Sequence, residues 1–342
     1  MPTIDASRLE ATGARIFAAM GAPASDAEWI STLLVRANLR GHDSHGVIRI
    51  PSYWDGVKKG HVDPKSPVAV AVETPVTARL DGGRGFGQVG ARRAMELAIA
   101  KAEASGLSAV ALGNVGHVGR LADYAEMAAQ RGLVGMLWVN AVYGLNVAPW
   151  GGAARRLGTN PHCIAVPGKG GPAMVLDFAT SVVAEGKLRV KRNRKQHAPA
   201  GWFIDADGVP ATDPELFYGT PPGSLLAAGE HKGYGLSLAV EILGGILSGS
   251  GPAGPGTGPF CNGTLMICLD VGRFVAPEEF DRQVAALFDW VRSAPLAAGA
   301  KEILVPGEPE TRLEAERRRD GIPVEDETWA QVQTVARELS VA

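Results

Sequence analysis

Between residues 66 and 180 short β-branched runs alternate with helical stretches, and this alternation restricts the fold more than any other feature of the chain. Residues 68–72 and 76–80 read as strands, 91–105 as a helix closed by Gly106, 107–112 as a buried strand, 121–130 as a helix and 133–139 as another buried strand. Residues 163–166 and 174–177 add two strands ahead of a further helical stretch. Strands alternating with helices of about ten to fifteen residues predict an α/β layered domain. The chain before Gly41 reads as helices alone. Ser25 and Glu28 have capping-box spacing, Ile30, Leu33, Leu34 and Ala37 form one apolar face, and Gly41 is the predicted stop. Past a Gly/Pro-rich loop at 248–263, the pattern gives a strand at 264–269, a helix at 277–292, a strand at 302–305 and two polar C-terminal helices.

Composition narrows the function classes. A chain of 342 residues is long enough for about two domains with a large apolar core. Hydrophobic residues at 46% against 20% charged exclude wholesale disorder. Lys+Arg 34 against Asp+Glu 36 leaves a net charge of −2, so no nucleic-acid partner is expected. The longest apolar runs are too short for a membrane span. Cys163, Cys261 and Cys268 lack the spacing of a disulfide framework or a zinc ribbon. The N-terminal stretch carries Asp5 and Glu10, unlike a secretory signal, so a reducing, cytoplasmic location is expected. The 44 glycines call for tight turns or close backbone approaches.

The densest polar cluster is Arg40, His42, Asp43, Ser44 and His45, followed by Arg49. A histidine there can trade a proton near neutral pH, and an arginine can grip a carboxylate with two parallel hydrogen bonds. The bland alternative is a helix end whose His and Arg side chains cap the last carbonyls. Adjacent residues diverge on a helix and on a strand, so Ser44 and His45 are not expected to meet as a hydrolase pair; a G-x-S-x-G elbow is also absent. Neither His42 with His45 nor His117 with His162 has metal-ligand spacing, and no metal is predicted. Residues 85–90 match G-x-G-x-x-G, but the following strand ends in Gly113-Asn114 with no acidic residue for a ribose. Those glycines are read as close packing at a helix start.

The segment 113–119, GNVGHVG, lies between a buried strand and a helix, where α/β domains bind ligands; His117 there reads as a ligand contact or proton donor. Gly158-Thr159-Asn160 offers backbone approach and hydrogen bonds. Asp177 at a strand end is an N-cap or the partner of a histidine. Lys187 and Lys232 offer cations, and the basic run 189–195 is read mainly as a solvated helix end, with phosphate contact as the alternative.

As a set, RGHDSHGVIRIPSY (40–53), GFGQVGARRAMELAI (85–99), GNVGHVG (113–119), APWGG (148–152), LGTNP (157–161), LDFATS (176–181), HKGYGLSL (231–238) and PGEPE (306–310) resemble the malate/L-lactate dehydrogenase family of the non-Rossmann type. The resemblance implies an NAD- or NADP-dependent oxidoreductase acting on a 2-oxo acid, its 2-hydroxy form or a cyclic 2-imino acid. It also implies a non-Rossmann NAD(P)-binding α/β domain, residues 66–305, with a helical segment 1–65 packing against 306–342, in an intertwined homodimer. Carried over by motif, His45 is the implied proton donor, with Ser44 and Asp177 completing a relay and His117 still in contention for the same role. Arg49 would hold the substrate carboxylate and Thr159 the substrate. His117, Val118, Gly119, Arg120, Leu121, Phe178, Ala179, Thr180, Lys232, Gly307 and Glu308 would line the cofactor. Where the family often has Ser and Phe around the histidine, this chain has Gly116 and Val118, which removes an aromatic wall. The competing class is a non-catalytic nucleotide- or metabolite-binding module, which would keep the glycine loops and have no use for the His/Ser/Asp/Arg cluster.

Overall fold

A computed structural model describes residues 1–254 and 258–341; part of the Gly/Pro-rich loop at 248–263 thus lies outside the described residues. After a short strand β1 (Thr3–Ile4) come helices α1 (Ala6–Ala19), α2 (Ala24–Leu39) and α3 (Ile50–Lys58). The central elements are β2 (Ala69–Glu73), β3 (Thr77–Asp81), α4 (Gly87–Ser105), β4 (Leu107–Val115), α5 (Ala122–Ala129), β5 (Leu133–Val142), β6 (His162–Gly168) and β7 (Gly171–Phe178). Next come α6 (Glu185–Asn193), β8 (Phe203–Ile204), β9 (Pro210–Ala211), α7 (Pro214–Phe217), β10 (Ser224–Leu225) and α8 (His231–Val240). β11 (Cys261–Asp270), α9 (Pro277–Arg292), α10 (Glu308–Asp320), β12 (Ile322–Pro323) and α11 (Asp326–Glu338) complete the chain. No helix among the described residues is long and apolar enough to cross a membrane.

The fold is mixed α/β, around a seven-stranded sheet of order β2-β3-β4-β11-β5-β6-β7. Among the described strands of this sheet only β3 and β4 pair in parallel. β11 arrives from far along the chain and inserts antiparallel between β4 and β5, with Leu265 opposite both Ala111 and Trp138. A β4–α5–β5 unit that would form neighbouring parallel strands in a Rossmann domain is therefore split. The G-x-G-x-x-G match itself lies in the intact parallel β3–α4–β4 unit, where the Gly113-Asn114 stretch of β4 offers no carboxylate for a ribose. On one face, Ala91, Ala94, Ala98 and Ala102 bring α4 close to Val110, Leu112 and Met266. A second core joins the termini: Ile16, Phe17, Ile30, Leu34 and Tyr53 pack with Ile322, Val332 and Val335, and β1 pairs antiparallel with β12.

Two local expectations fail. α2 starts at Ala24 with Pro23 at its cap and no side-chain cap bond, so Ser25 and Glu28 form no capping box; the proline's fixed φ starts the turn one residue early. Residues 302–305 form no strand. The segment runs beside the edge strand β7, joined by Val175 N–H donating to the Pro306 carbonyl at 3.0 Å. The glycines at 85–90 do serve close packing: a Cβ on Gly87 would lie 2.3 Å from the carbonyl oxygens of Gly116 and His117. The start of α4 thus rests directly on the backbone that carries His117.

Candidate active site

α2 ends where Gly41 takes a left-handed conformation (φ +79°), and the chain then makes two tight 3₁₀ turns, Asp43–His45 and Val47–Arg49. The Asn38 side chain holds them from inside: its Oδ1 accepts from Val47 N–H (2.9 Å) and its Nδ2 donates to Asp43 (2.7 Å). Asp43 also pairs with Arg317 at 2.8 Å, so it is structural. Ser44, His45 and Arg49 instead border a cavity of about 370 Å³, within the usual range for ligand pockets. The loop after β4 brings His117, Val118, Gly119 and Leu121 to the same cavity, and the segment before β6 brings Thr159. These eight expected residues come together from three separate stretches of sequence.

Ser44 Oγ lies 3.1 Å from His45 Nδ1. The divergence of neighbouring side chains holds for helices and strands, but this segment is a 3₁₀ turn, and the two do meet. His45 stacks on His117 with ring centroids 5.4 Å apart and 25° between planes. Behind His117 stands Tyr53, whose hydroxyl accepts from Gln88 Nε2 (2.8 Å) and therefore donates onward to His117 Nδ1 (2.7 Å). A neutral His117 then carries its own proton on Nε2. Burial pushes the Tyr53 hydroxyl up to about 12, so it keeps its proton. Phe260 lies 6.1 Å from His117 and borders the cavity, supplying an aromatic wall where Val118 gives none.

His45 is not a stored imidazolium. Enclosure by protein pushes it down to about 3, and the Arg49 guanidinium adds to the effect. His117 is held well below 6.5, and His42 is lowered too, burial being the largest cause for both. Each imidazole takes up a proton in the unfolded chain near 6.5 that the folded chain refuses. Their stabilisation is present above that pH and is lost as pH falls toward the folded values. Asp177 runs the other way: burial raises it to about 6, so the folded state binds a proton that an unfolded carboxyl near 3.8 releases. Three histidines against one carboxyl leave a net loss of stability on acidification. We expect the melting temperature to fall between pH 7 and pH 5, and His45→Asn with His117→Asn to flatten the fall. A melting temperature independent of pH over that range would contradict these assignments.

Arg49 carries an unpaired charge. Its Nε donates to the Ser44 carbonyl at 2.6 Å, and its terminal amino groups have no hydrogen-bond or carboxylate partner among the described residues. Arg189, also on the cavity, is paired with Glu185 at 3.0 Å, and Glu185 accepts from the Tyr218 hydroxyl at 2.6 Å. Gly186 has no room for a Cβ, which would come 2.9 Å from Ser44 Cβ, so α6 abuts the Asp43–His45 turn. Arg189, Glu185, Tyr218 and Arg155 were not foreseen as site residues. The outer part of the basic run is a solvated helix end, with Arg192 on Glu215 and Arg194 on Glu325.

The remaining expected residues lie elsewhere. Asp177 forms no relay with Ser44 or His45: its carboxylate accepts from Ala122 N–H at 2.9 Å, capping α5, and borders a second cleft of about 290 Å³ with His42, Arg120 and Gly307. The strand end that carries it faces the start of α5. Arg120 is buried in an ion network, 2.7 Å from Asp123 and 3.1 Å from Glu126, which also binds Arg36 and Arg40. Arg40 bridges on to Glu314 at 2.6 Å, tying α2, α5 and α10 together. Thr180 is buried and holds the Thr159 carbonyl through its N–H (2.9 Å) and hydroxyl (3.0 Å). Phe178 and Lys232 are exposed, with Ala179 beside Phe178, and none of the three borders either cleft. Glu308 accepts from Val305 N–H (2.7 Å) and Arg292 (2.6 Å) at the start of α10. Among the described residues no group of three His, Cys, Asp or Glu is placed to hold a metal.

Comparison with known proteins gives this arrangement a context. A family model described as malate/L-lactate dehydrogenase matches residues 4–333. Hydroxycarboxylate dehydrogenase B of Escherichia coli K12 is 38% identical over 342 residues, covering 98% of this chain and 94% of that one. L-sulfolactate dehydrogenase of Methanocaldococcus jannaschii is 37% identical over 327 residues, covering 94% and 92%. The structure of malate dehydrogenase from Pyrococcus horikoshii OT3 superposes with a TM-score of 0.91 at 33% identity, covering 100% of this chain and 96% of that one. With the family model spanning nearly the whole chain, this protein belongs to the malate/L-lactate dehydrogenase family of oxidoreductases.

Proposed function

We propose that this cavity oxidises a small 2-hydroxy acid, or reduces the corresponding 2-oxo acid, with NAD or NADP. The observation that carries the reading is Arg49, a guanidinium without a counter-charge, in one cavity with two neutral stacked imidazoles. A half-buried unpaired cation is costly, and an anionic substrate removes that cost. Gripping the carboxylate through the free fork of Arg49 fixes the neighbouring C2, which converts binding into orientation.

A bound nicotinamide supplies or accepts the hydride at C2. His45 handles the proton: with Nδ1–H donating to Ser44 Oγ, its Nε2 is free to take the proton of the 2-hydroxyl during oxidation. In reduction the same nitrogen must arrive protonated. Neutralising Arg49 with a carboxylate weakens one of the causes that hold His45 low, so substrate binding itself favours the protonated ring. His117, its Nδ1 committed to Tyr53, offers a fixed Nε2–H for a hydrogen bond to the reacting oxygen.

The residues present fit a dinucleotide. Val118, Gly119 and Leu121 border the first cavity while Arg120 borders the second, so one short loop lies between the two. Arg120 Nε is buried without a partner among the described residues, a donor still open to an acceptor. His117, Val118, Gly119 and Leu121 on one side, with Arg120 and Gly307 on the other, would hold the cofactor; Phe178, Ala179, Thr180, Lys232 and Glu308 are assigned to it by family likeness alone. We further propose a homodimer. α9 has no fully buried residue, and Phe274 and Trp290 are 71% and 76% exposed, an apolar face a second copy would cover. Sedimentation as a single 35.7 kDa species would contradict it.

The test of the activity is loss of absorbance at 340 nm with NADH or NADPH and a panel of 2-oxo acids and cyclic imino acids. Turnover of at least one acid is expected. Flat traces across the panel would favour a binding module.

A further inference from the structure

We propose that Arg155 reads a second acidic group, and hence that the substrate is a dianionic 2-oxo acid or its 2-hydroxy form, with a carboxylate or sulfonate at its far end. The proposal rests on the oxidoreductase reading above and selects among the acids that reading allows.

Arg155 and Arg156 are neighbours with different surroundings. Arg156 is exposed, and its Nη1 donates to the Arg155 carbonyl. Arg155 borders the active-site cavity and not the cleft at Asp177. Its Nε donates to the Gly223 carbonyl at 2.6 Å and its Nη2 to the Phe217 carbonyl at 2.7 Å. The guanidinium lies over the Phe217 ring, 4.1 Å from the centroid, and Phe217 is itself buried and packed edge-on against Phe203 and Tyr218. The side chain is thus fixed before any ligand arrives, while Nη1 has no partner among the described residues.

Carbonyl acceptors satisfy donors but leave the positive charge in place. Among the described residues four charged side chains border the cavity: Arg49, Arg155, Arg189 and Glu185. Glu185 pairs with Arg189, which closes that pair. The two imidazoles beside Arg49 are neutral. What remains is two uncompensated guanidiniums, Arg49 in the catalytic turn and Arg155 on the wall formed by Phe217. Burial lowers the pKa of each, and the attraction of Glu185, which forms a salt bridge with neither, does not reverse it. A monoanionic acid satisfies one of them and leaves the other bare; an acid with a charge at each end satisfies both.

The experiment compares acids of equal length, oxaloacetate with 2-oxobutanoate and 2-oxoglutarate with 2-oxopentanoate, on the wild type and on Arg155→Gln. Glutamine can still donate to a backbone carbonyl and lacks the charge. The wild type is expected to prefer the diacid of at least one pair by about a hundredfold in kcat/KM. In Arg155→Gln that preference should shrink to within a few-fold, the loss falling mainly on the diacid. Equal losses for diacid and monoacid, or a raised cofactor KM with the preference intact, would overturn the proposal. So would a wild type that favours the monoacid of both pairs, which would leave the dehydrogenase reading standing; inertness toward every acid would sink both. If Arg155→Gln loses its melting transition, Arg155→Lys, which keeps the charge, must retain a diacid preference, and its loss there would count against the proposal.

Discussion

His45→Asn is expected to lower turnover by about a hundredfold or more while leaving cofactor affinity nearly intact. The ring has the Ser44 hydroxyl at Nδ1 and no protein partner at Nε2 among the described residues, so Nε2 is open to the substrate proton. His117 is the nearest substitute, but moving a proton through it would require the buried Tyr53 hydroxyl to change partners. In the proposed arrangement the cofactor is held by other residues, which is why affinity measured by fluorescence titration should hold. Unchanged turnover would remove His45 from the chemistry, and a comparable loss confined to His117→Asn would transfer the role.

Arg49→Met should cost about a thousandfold in kcat/KM for the acid, since it removes a charge-assisted bidentate contact and the orientation that contact imposes. Arg49→Lys should chiefly raise KM, because a point charge cannot reproduce the fork. The methionine variant carries a second signature. Arg49 is the second cause that holds His45 low, so its loss should move the acidic limb of the oxidation rate profile to higher pH. Kinetics identical in the two variants would reject the clamp, and an unmoved profile would reject the coupling.

Much of the site was legible because its residues are local in sequence. Ser44, His45 and Arg49 lie in one run of two 3₁₀ turns, and His117 follows a strand whose end had to face a loop. The groups that tune them were hidden by distance along the chain. Tyr53 reaches His117 across 64 residues and Gln88 reaches Tyr53 across 35, and an aromatic on an apolar helix face has no mark that separates a hydrogen-bonding tyrosine from a packing one. Nothing in the sequence separates Arg155 from its neighbour Arg156; the carbonyls of Gly223 and Phe217 turn it inward. Asp177 was misplaced for a related reason. Its strand-end position was plain, but the helix it caps is α5, two strands earlier in the chain, and not the helix that follows. The sheet order shows the same limit: alternation called for helices on a sheet, while the insertion of β11 between β4 and β5 is a long-range pairing with no local signature.

A nitrogen-15 titration of His45 probes the centre of this account, in the free enzyme and again with oxidised cofactor and an unreactive 2-oxo acid analogue such as oxamate. A ring uncharged at pH 5 when free, whose protonation midpoint climbs once the anion sits on Arg49, is the predicted outcome. A free ring titrating like a solvated imidazole, with no change when the anion binds, would contradict it.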